Sequence, residues 1–281
     1  MLPLTHMNIR AICTDIDSTL LDSDRELSAR TIAAVQRLPQ DMPFILASSR
    51  MPSAMRHLQE ELGILHHPLI CFNGGYVLLF EDGTKEPQVL DTVQIPAQLC
   101  AYIQELAQGT SVHVSLYQDD AWHAPQEDYW TQREIRNTKV TPTIGTTLEV
   151  VQEWQRQAIG AHKVMCMGPE EEIQGIYQNL TQTFDDQLHV YRSKNTYLEI
   201  APKSISKASA LEMLLKHQYD FGLESVMAFG DNYNDIEMLQ AVGLGIAVSN
   251  AREEVKAVAK EVTAPSTEDG VAMAIEKHCL Q

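Results

Sequence analysis

The length and charge of the chain narrow the classes of protein to which it can belong. Its 281 residues allow one large domain or two, and 44% hydrophobic residues suffice for a sizeable core. A formal net charge of −17 argues against a nucleic-acid backbone or an anionic membrane surface as partner. A small anionic ligand is not excluded, because a metal ion and one lysine can reverse the local field.

The first quarter of the chain alternates between apolar strand patterns and helical patterns. The predicted strands cover residues 9–14, 44–47 and 68–72. The predicted helices cover 28–38, with Ser28 as N-cap, and about 53–62. Such alternation predicts a parallel sheet with helices on both faces, and ligands bind beyond the carboxyl ends of its strands.

The pattern changes after residue 75. Residues 76–80 and 84–90 predict a hairpin around Glu81-Asp82-Gly83. Mixed elements follow, with helices over 97–107, 148–157 and 170–181 and strands over 112–117 and 163–167. The first pattern returns with strands over 197–200, 226–229 and 245–248 and helices over 206–217, 234–241, 251–260 and 269–279. We predict a smaller α/β domain at 88–192, inserted into a first domain formed by 1–87 and 193–281.

The cysteines and the N-terminal residues indicate a cellular compartment. The five cysteines form no Cys-x-x-Cys pair, which favours reduced thiols over a disulfide framework or a zinc site. Cys13 and Cys71 lie in apolar runs and are predicted to be core residues. Residues 1–10 lack a signal-peptide stretch, and no segment approaches a membrane span. We expect a soluble cytoplasmic protein, as a monomer or homodimer.

Asp15-Ile16-Asp17 directly follows the first predicted strand. Two carboxylates one residue apart can divide the labour of group transfer. One attacks as a nucleophile, and the other protonates the leaving oxygen and later activates water. A polar turn is the competing interpretation, since aspartate and serine favour turns, so this short motif alone leaves both open.

A second acidic segment, residues 230–235, follows the strand predicted at 226–229. Mg²⁺ takes oxygen ligands, from one or two carboxylates, and leaves other positions to water and substrate phosphate. Asp15 and Asp231 could supply those carboxylates, and the Asp17 backbone carbonyl a third oxygen. Asn234 and Asp235 would then orient ligands and waters, a role compatible with helix capping by Asp235.

Two further residues carry weaker signals. Lys207 lies in the first turn of a predicted helix, where a cation is mildly unfavourable unless it binds an anion. Ser48 follows the second strand, where its hydroxyl could donate to a phosphate oxygen. Taken singly, a lysine is more often solvated and a serine more often part of a turn.

The order of these elements resembles the haloacid dehalogenase-like phosphatases, specifically their Cof-like branch with a large cap domain. The series is DxDxT, a hydroxyl residue after an apolar strand, a lysine, and GDxxND. The matching segments are residues 15–21, 45–50, 70–75, 198–211, 229–239 and 248–255. The resemblance therefore spans the whole first domain. It implies a Rossmann-like, doubly wound parallel sheet core with the inserted α/β domain as a cap.

The resemblance also implies roles for individual residues. Asp15 would be the nucleophile and Asp17 the general acid/base, with Asp231 as the further Mg²⁺ ligand supported by Asn234 and Asp235. The residues placed at the substrate or its entrance are Ser48, Ser49, Arg50, Asn73, Gly74, Lys207 and Asn250. The expected reaction is Mg²⁺-dependent hydrolysis of small phosphomonoesters, with sugar phosphates as the expected class, through an aspartyl-phosphate.

The chain departs from the family pattern at two glycine positions. Ser18 replaces the glycine usual in the nucleophile motif, and Ser49 replaces a glycine common before Arg50. In addition, Ser48 stands where threonine is usual, which keeps the hydroxyl. These changes remove no catalytic group, but they could narrow the site or tilt its geometry.

Three other functions compete with phosphomonoester hydrolysis. A phosphohexomutase relative shares the nucleophile motif, although residues 88–192 show no second phosphate-binding cluster. A signalling receiver domain is much shorter and lacks a second aspartate two residues after the acceptor. A catalytically idle binding protein on the same fold is the last alternative, because a fold does not guarantee activity.

Overall fold

The computed structural model describes residues 8–80 and 86–280. The turn predicted at Glu81-Asp82-Gly83 and the first seven residues lie outside the described residues. The described chain forms two compact units. The first comprises 8–49, 55–80, 86–90 and 206–280, and the second comprises 50–54 and 91–205.

The strands and helices of the described residues are numbered in chain order. The strands are β1 (Ala11–Thr14), β2 (Phe44–Ala47), β3 (Leu69–Cys71), β4 (Tyr76–Leu79), β5 (Gln88–Thr92), β6 (Ile95–Pro96), β7 (His113–Gln118), β8 (Ala121–Ala124), β9 (Thr143–Ile144), β10 (Gly160–Ala161), β11 (Lys163–Met167), β12 (Leu188–Lys194), β13 (Tyr197–Pro202), β14 (Val226–Gly230), β15 (Leu244–Val248) and β16 (Glu261–Thr263). The helices are α1 (Ala29–Gln36), α2 (Ser53–Leu62), α3 (Ala97–Ala107), α4 (Tyr129–Thr138), α5 (Thr147–Gln157), α6 (Glu170–Thr183), α7 (Lys207–Gln218), α8 (Ile236–Ala241), α9 (Glu253–Val258) and α10 (Gly270–Cys279).

The first unit is built on a sheet in the order β16-β15-β14-β1-β2-β3-β4-β5. Neighbouring strands from β16 to β3 run parallel, and β4 turns antiparallel to β3. Strands β1, β2, β14 and β15 are buried along their whole length, as expected of parallel strands covered on both faces. The predicted parallel α/β core is therefore confirmed.

Local sequence signals account for the helix starts in this unit. Ser28 caps α1, because its hydroxyl oxygen accepts the backbone N–H of Thr31 at 3.0 Å. Ser206 caps α7 in a capping box with Ser209. The cap at Ser206 fixes where α7 begins, and it makes Lys207 the first residue of that helix.

The second unit is built on a six-stranded sheet in the order β12-β13-β11-β7-β8-β9, with β6 and β10 pairing separately. Its strands are antiparallel except for the pair β8 and β9. Helices α3, α5 and α6 contribute Ile103, Trp154 and Ile176 to an apolar core shared with Leu116 and Val164 of the sheet. This α/β unit corresponds in class to the predicted inserted domain.

One predicted strand belongs to a different sheet from the one we expected. We assigned residues 197–200 to the returning first pattern, but β13 pairs antiparallel with β11 and β12 in the six-stranded sheet. Five of the six residues of β13 are buried, and only Glu199 is partly buried. A short run of buried residues predicts a strand but does not say which sheet the strand joins, so the sequence pattern could not assign it. The predicted domain bounds at 88–192 stay a prediction.

Two predictions drawn from composition can be compared with the described residues. Cys13 and Cys71 are fully buried in strands β1 and β3, as predicted. Across residues 8–80 and 86–280, no helix combines the length and apolar character needed to cross a membrane.

Candidate active site

The candidate catalytic residues follow the carboxyl ends of adjacent strands. Asp15 follows β1, Ser48 follows β2, and Asp231 follows β14. The ends are tied together by backbone hydrogen bonds, in which Asp15 N–H donates to the Phe229 carbonyl at 3.0 Å and Asn73 N–H to the Ser48 carbonyl at 2.8 Å. The fold therefore brings to one sheet edge the groups that the sequence separates by more than 200 residues.

A buried ion cluster lies at this edge. Lys207 Nζ donates to Asp15 Oδ1 and, at 2.7 Å, to Asp235 Oδ1. The lysine and the Asp235 side chains are 0% exposed, and that of Asp15 is 9% exposed. A lysine in the first turn of a helix is thus explained by two carboxylate partners, since an unpaired ammonium would not be buried.

Asp235 has both carboxylate oxygens engaged. Its Oδ2 accepts the backbone N–H groups of Asp231 and Asn232, each at 3.0 Å, while its Oδ1 accepts Lys207. Gly230 permits this approach, because a Cβ at that position would lie 2.4 Å from the Asp235 Cβ. Asp235 therefore holds the loop that carries Asp231, and its expected role in supporting metal ligands stays a prediction.

Burial and mutual repulsion shift the ionisation of the cluster. Burial raises the pKa of Asp15 well above its usual range, and the charges of Asp235 and Asp231 add to the effect while Lys207 opposes it. Burial and the charge of Asp235 raise the pKa of Asp231 to about 6. Burial alone would lower the pKa of Lys207, but the charges of Asp15 and Asp235 raise it, so the lysine is a cation at neutral pH.

The donor set fits a hard divalent cation. Asp15, Asp231 and Asp235 each offer an oxygen atom, and these atoms lie within 4.8 Å of one another. With all groups ionised, three carboxylates and one ammonium carry a net charge of −2. A bound divalent ion would balance that charge and favour the ionised form of Asp15. All-oxygen donors suit Mg²⁺, Mn²⁺ or Ca²⁺ better than Zn²⁺.

Asp17 does not share the burial of the cluster. Its side chain is 36% exposed, and its Oδ1 accepts Arg25 Nη1 at 2.7 Å. Thr19 from the same loop donates to Asp231 Oδ1 at 3.2 Å, so the two acidic loops are linked directly. Sequence reasoning missed Arg25. A cation eight residues after an acidic motif is a weak signal, and the contact depends on the path of the intervening loop.

Several residues predicted at the substrate occupy structural positions near the sheet edge. Asn73 has a left-handed backbone with a φ of 58°, and its Oδ1 accepts Asn234 Nδ2 at 2.9 Å. The φ of Gly74 is 107°, and a Cβ there would lie 2.5 Å from the Ser206 carbonyl oxygen, so only glycine fits. Asn250 Nδ2 donates to the Ser18 carbonyl at 2.8 Å.

The other predicted substrate residues are placed by the strand end and the chain that follows it. Ser48 and Arg50 are buried, and Ser49 is partly buried. Arg50 Nη1 donates to the Ala54 carbonyl at 3.1 Å, one turn along the chain. The substrate-binding roles of these residues stay a prediction.

A comparison of the chain with known families identifies the family to which it belongs. A sequence profile of haloacid dehalogenase-like hydrolases matches residues 12–275. The chain belongs to the haloacid dehalogenase-like hydrolase family. The match covers both acidic loops, Lys207 and the entire second unit, as the resemblance noted from the sequence implied.

Individual relatives of this family match over nearly their whole length. A Haemophilus influenzae protein, provisionally named a phosphatase, is 33% identical over 96% of this chain and 98% of its own. The Bacillus subtilis 5-amino-6-(5-phospho-D-ribitylamino)uracil phosphatase YitU is 27% identical over 95% of this chain and 96% of its own. The Escherichia coli pyridoxal phosphate phosphatase YbhA is 28% identical over 98% and 100%.

Solved structures of similar proteins share this fold. A haloacid dehalogenase-like hydrolase from Bacteroides thetaiotaomicron superposes with a TM-score of 0.85 at 26% identity, over 96% of this chain and 99% of that one. The Thermotoga maritima protein TM0651 gives a TM-score of 0.84 at 27% identity, over 97% and 100%. The chain is accordingly a haloacid dehalogenase-like phosphatase of the Cof-like branch, a phosphoric monoester hydrolase.

The departure from the family at Ser18 has a structural counterpart. Ser18 has a φ of 62°, in the left-handed region where L-residues other than glycine pay roughly 1–2 kcal/mol. Its carbonyl oxygen accepts a hydrogen bond from Asn250 Nδ2, which helps to hold this backbone conformation. The loop after Asp15 therefore places a serine in a conformation that glycine would adopt without strain.

Proposed function

We propose that the chain hydrolyses small phosphomonoesters with Mg²⁺ through a phosphorylated Asp15. The observation that carries this proposal is the buried cluster of Asp15, Lys207, Asp231 and Asp235 at the edge of the parallel sheet. A carboxylate in contact with a fully buried lysine, beside two further carboxylates, suits attack on an anionic phosphoryl group once a cation balances the charge.

The reaction is proposed to proceed in two steps. An Asp15 carboxylate oxygen attacks phosphorus in line, and the bond from phosphorus to the ester oxygen breaks as Asp17 donates a proton to that oxygen. Asp17, now ionised, takes a proton from a water molecule that attacks the aspartyl-phosphate. Inorganic phosphate leaves, and the Asp15 carboxylate and the Asp17 proton are restored.

The remaining site residues bind and orient. Lys207 would hold a phosphoryl oxygen through its ammonium group, and the Ser48 hydroxyl would donate to another. Asp15, the Asp17 backbone carbonyl and Asp231 would hold Mg²⁺, with Asn234 and Asp235 in support. Bound Mg²⁺ would supply positive charge at the transferring phosphoryl group.

Sugar phosphates are the substrate class we propose first, since the sequence resembles a branch containing sugar phosphatases. The relatives named for pyridoxal phosphate and for 5-amino-6-(5-phospho-D-ribitylamino)uracil extend the candidates to phosphorylated heterocycles. A Yersinia enterocolitica relative, 28% identical, is named HMP-PP phosphatase. A screen should therefore contain hexose and pentose phosphates beside these phosphorylated heterocycles. Cytoplasmic location and a monomeric or dimeric state stay predictions.

Replacement of the nucleophile tests the mechanism. Asp15→Asn should lower turnover of p-nitrophenyl phosphate at least about 1,000-fold, because an amide cannot form the intermediate. Asp24→Asn, which changes an exposed carboxylate of the same loop, is the matched control and should keep full activity. EDTA should abolish wild-type turnover and added Mg²⁺ should restore it. Near-normal activity of Asp15→Asn, or turnover undiminished by EDTA, would refute the proposal.

A further inference from the structure

The turn between β15 and α9, residues 249–252, contacts both acidic loops of the candidate site. Asn250 reaches the loop that carries Asp15 and Asp17, and Arg252 reaches the loop that carries Asp231. Each contact is a hydrogen bond between groups distant in sequence. One short segment is thus bonded to the two loops that must stay at a fixed separation if they are to share a metal ion.

The Asn250 side chain is held at both ends. Its Nδ2 donates to the Ser18 carbonyl at 2.8 Å, and its Oδ1 accepts the Ser266 backbone N–H at 2.8 Å. Ser18 has the left-handed backbone that L-residues rarely adopt, so its carbonyl direction depends on such external support. Both polar atoms of Asn250 face backbone groups of this chain, which leaves its side chain better suited to holding the loop than to binding substrate.

Arg252 fixes the second loop through backbone and side chain. Its N–H donates to the Asp231 carbonyl at 3.0 Å, and its Nε donates to Asn232 Oδ1 at 2.8 Å. Its guanidinium carbon lies 4.7 Å from the centre of the Tyr233 ring, and Tyr233 Oη donates to Glu254 at 3.2 Å. The loop is therefore held from the start of α9 as well as by Asp235.

We propose that Asn250 and Arg252 are positioning residues that keep the Ser18 and Asp231 loops at the separation required by the metal site. The inference rests on the proposed function and replaces the substrate-binding role expected for Asn250 from the family resemblance. Residues that orient ligands from outside a metal site commonly change metal affinity by 10- to 100-fold when they are mutated.

Metal binding without substrate is the direct test. Mn²⁺ titrations followed by electron paramagnetic resonance would compare the wild type with Asn250→Ala and Arg252→Gln. We expect the Mn²⁺ dissociation constant to rise about 10-fold in each variant. The kcat at saturating Mg²⁺ should change much less than the Mg²⁺ concentration needed for half-maximal rate. Arg30→Gln, which removes an exposed arginine paired with Glu276, is the matched control and should bind Mn²⁺ normally.

Two further variants distinguish positioning from general damage. Ser18→Gly combined with Asn250→Ala should recover much of the lost Mn²⁺ affinity, because glycine adopts a positive φ without strain. Arg252→Lys should bind Mn²⁺ as weakly as Arg252→Gln, since lysine keeps the charge but lacks the Nε donor. Wild-type Mn²⁺ affinity in both single variants, or a loss of kcat with that affinity unchanged, would overturn the proposal. A wild type that binds no Mn²⁺ would instead contradict the metal assignment of the proposed function.

Discussion

Replacement of Lys207 by methionine perturbs a fully buried charge of the site. Methionine matches the length of the lysine stem but removes the ammonium group that donates to Asp15 and Asp235. The variant leaves three carboxylates close together with no cation among them. Breaking a buried pair from one side is costly, because the partners keep their desolvation penalty and lose its compensation.

The size of the stability loss depends on the lost hydrogen bonds of Lys207 and on the change in the pKa values of the neighbouring carboxyl groups. One-sided removal of a buried ion-pair partner typically destabilises by about 3–5 kcal/mol. The pKa of Asp15 is already raised, and that of Asp231 lies at about 6, so both rise further without the lysine. A folded-state pKa above the unfolded one makes the folded protein bind more protons, so stability falls as pH rises. For Lys207→Met we therefore expect the full loss of unfolding free energy at pH 8 and a smaller loss at pH 5.

Urea unfolding followed by circular dichroism at pH 5 and pH 8 measures this difference. Lys216→Met is the matched control on the same helix, because Lys216 is 72% exposed and pairs only with Glu212 among its described salt bridges. The control should change stability little at either pH. Equal stability losses for the two variants at pH 8, or a loss at Lys207 that does not depend on pH, would refute the reasoning. Turnover by Lys207→Met should fall about 100-fold or more.

Two further predictions concern backbone and histidine. Gly74→Ala should destabilise by about 2–3 kcal/mol, because its Cβ would lie 2.5 Å from the Ser206 carbonyl. Gly109 also has a positive φ, but a Cβ there would meet no atom within 4 Å, so Gly109→Ala is the control. A larger loss of stability in Gly74→Ala than in Gly109→Ala, measured by thermal unfolding, gives the contribution of the steric clash. Burial lowers the pKa of His67 to about 4, below the unfolded value near 6.5. Unfolded chains then bind more protons, so stability should fall as pH drops from 6.5 to 4. In urea unfolding, His67→Asn should weaken the dependence of stability on pH, whereas the exposed control His217→Gln should not. The same pH dependence in His67→Asn and in the control would contradict the assignment.

The parts of the fold that the sequence predicts are those with continuous apolar runs. Strands β1, β2 and β14 are such runs, and each is followed at once by a polar residue of the site: Asp15, Ser48 and Asp231. Local order therefore suffices to place these side chains at one sheet edge. The prediction depends on no long-range contact, since parallel strands in such sheets end on the same side.

Elements without a clear apolar stripe were not predicted. Helix α4 has the polar sequence YWTQREIRNT and buries Thr131 and Glu134. Its start is set by Asp128, which accepts the N–H groups of Trp130 and Thr131, a signal easily mistaken for a loop. A hydrophobic pattern carries no information about a helix whose buried face is made of polar residues.

The partners of charged residues were equally inaccessible from the sequence. That Lys207 bonds both Asp15 and Asp235 depends on contacts across 192 and 28 residues. From the sequence, Asp235 was expected to support the metal ligands, to cap the helix, or to do both. Only the structure shows that each of its oxygens accepts hydrogen bonds from donors of this chain.

The charge of the cluster reconciles a strongly acidic chain with an anionic substrate. A chain with a net charge of −17 repels phosphate at long range, but screening confines that repulsion to about 8–10 Å at physiological salt. Within the site, the balance between three carboxylates and the available cations decides binding. With all three carboxyls ionised, Lys207 alone leaves the cluster at −2, so both the lysine and a divalent ion are needed before a phosphoryl group is attracted. Removal of either cation should therefore weaken phosphate binding, and saturating metal should not fully replace the lysine.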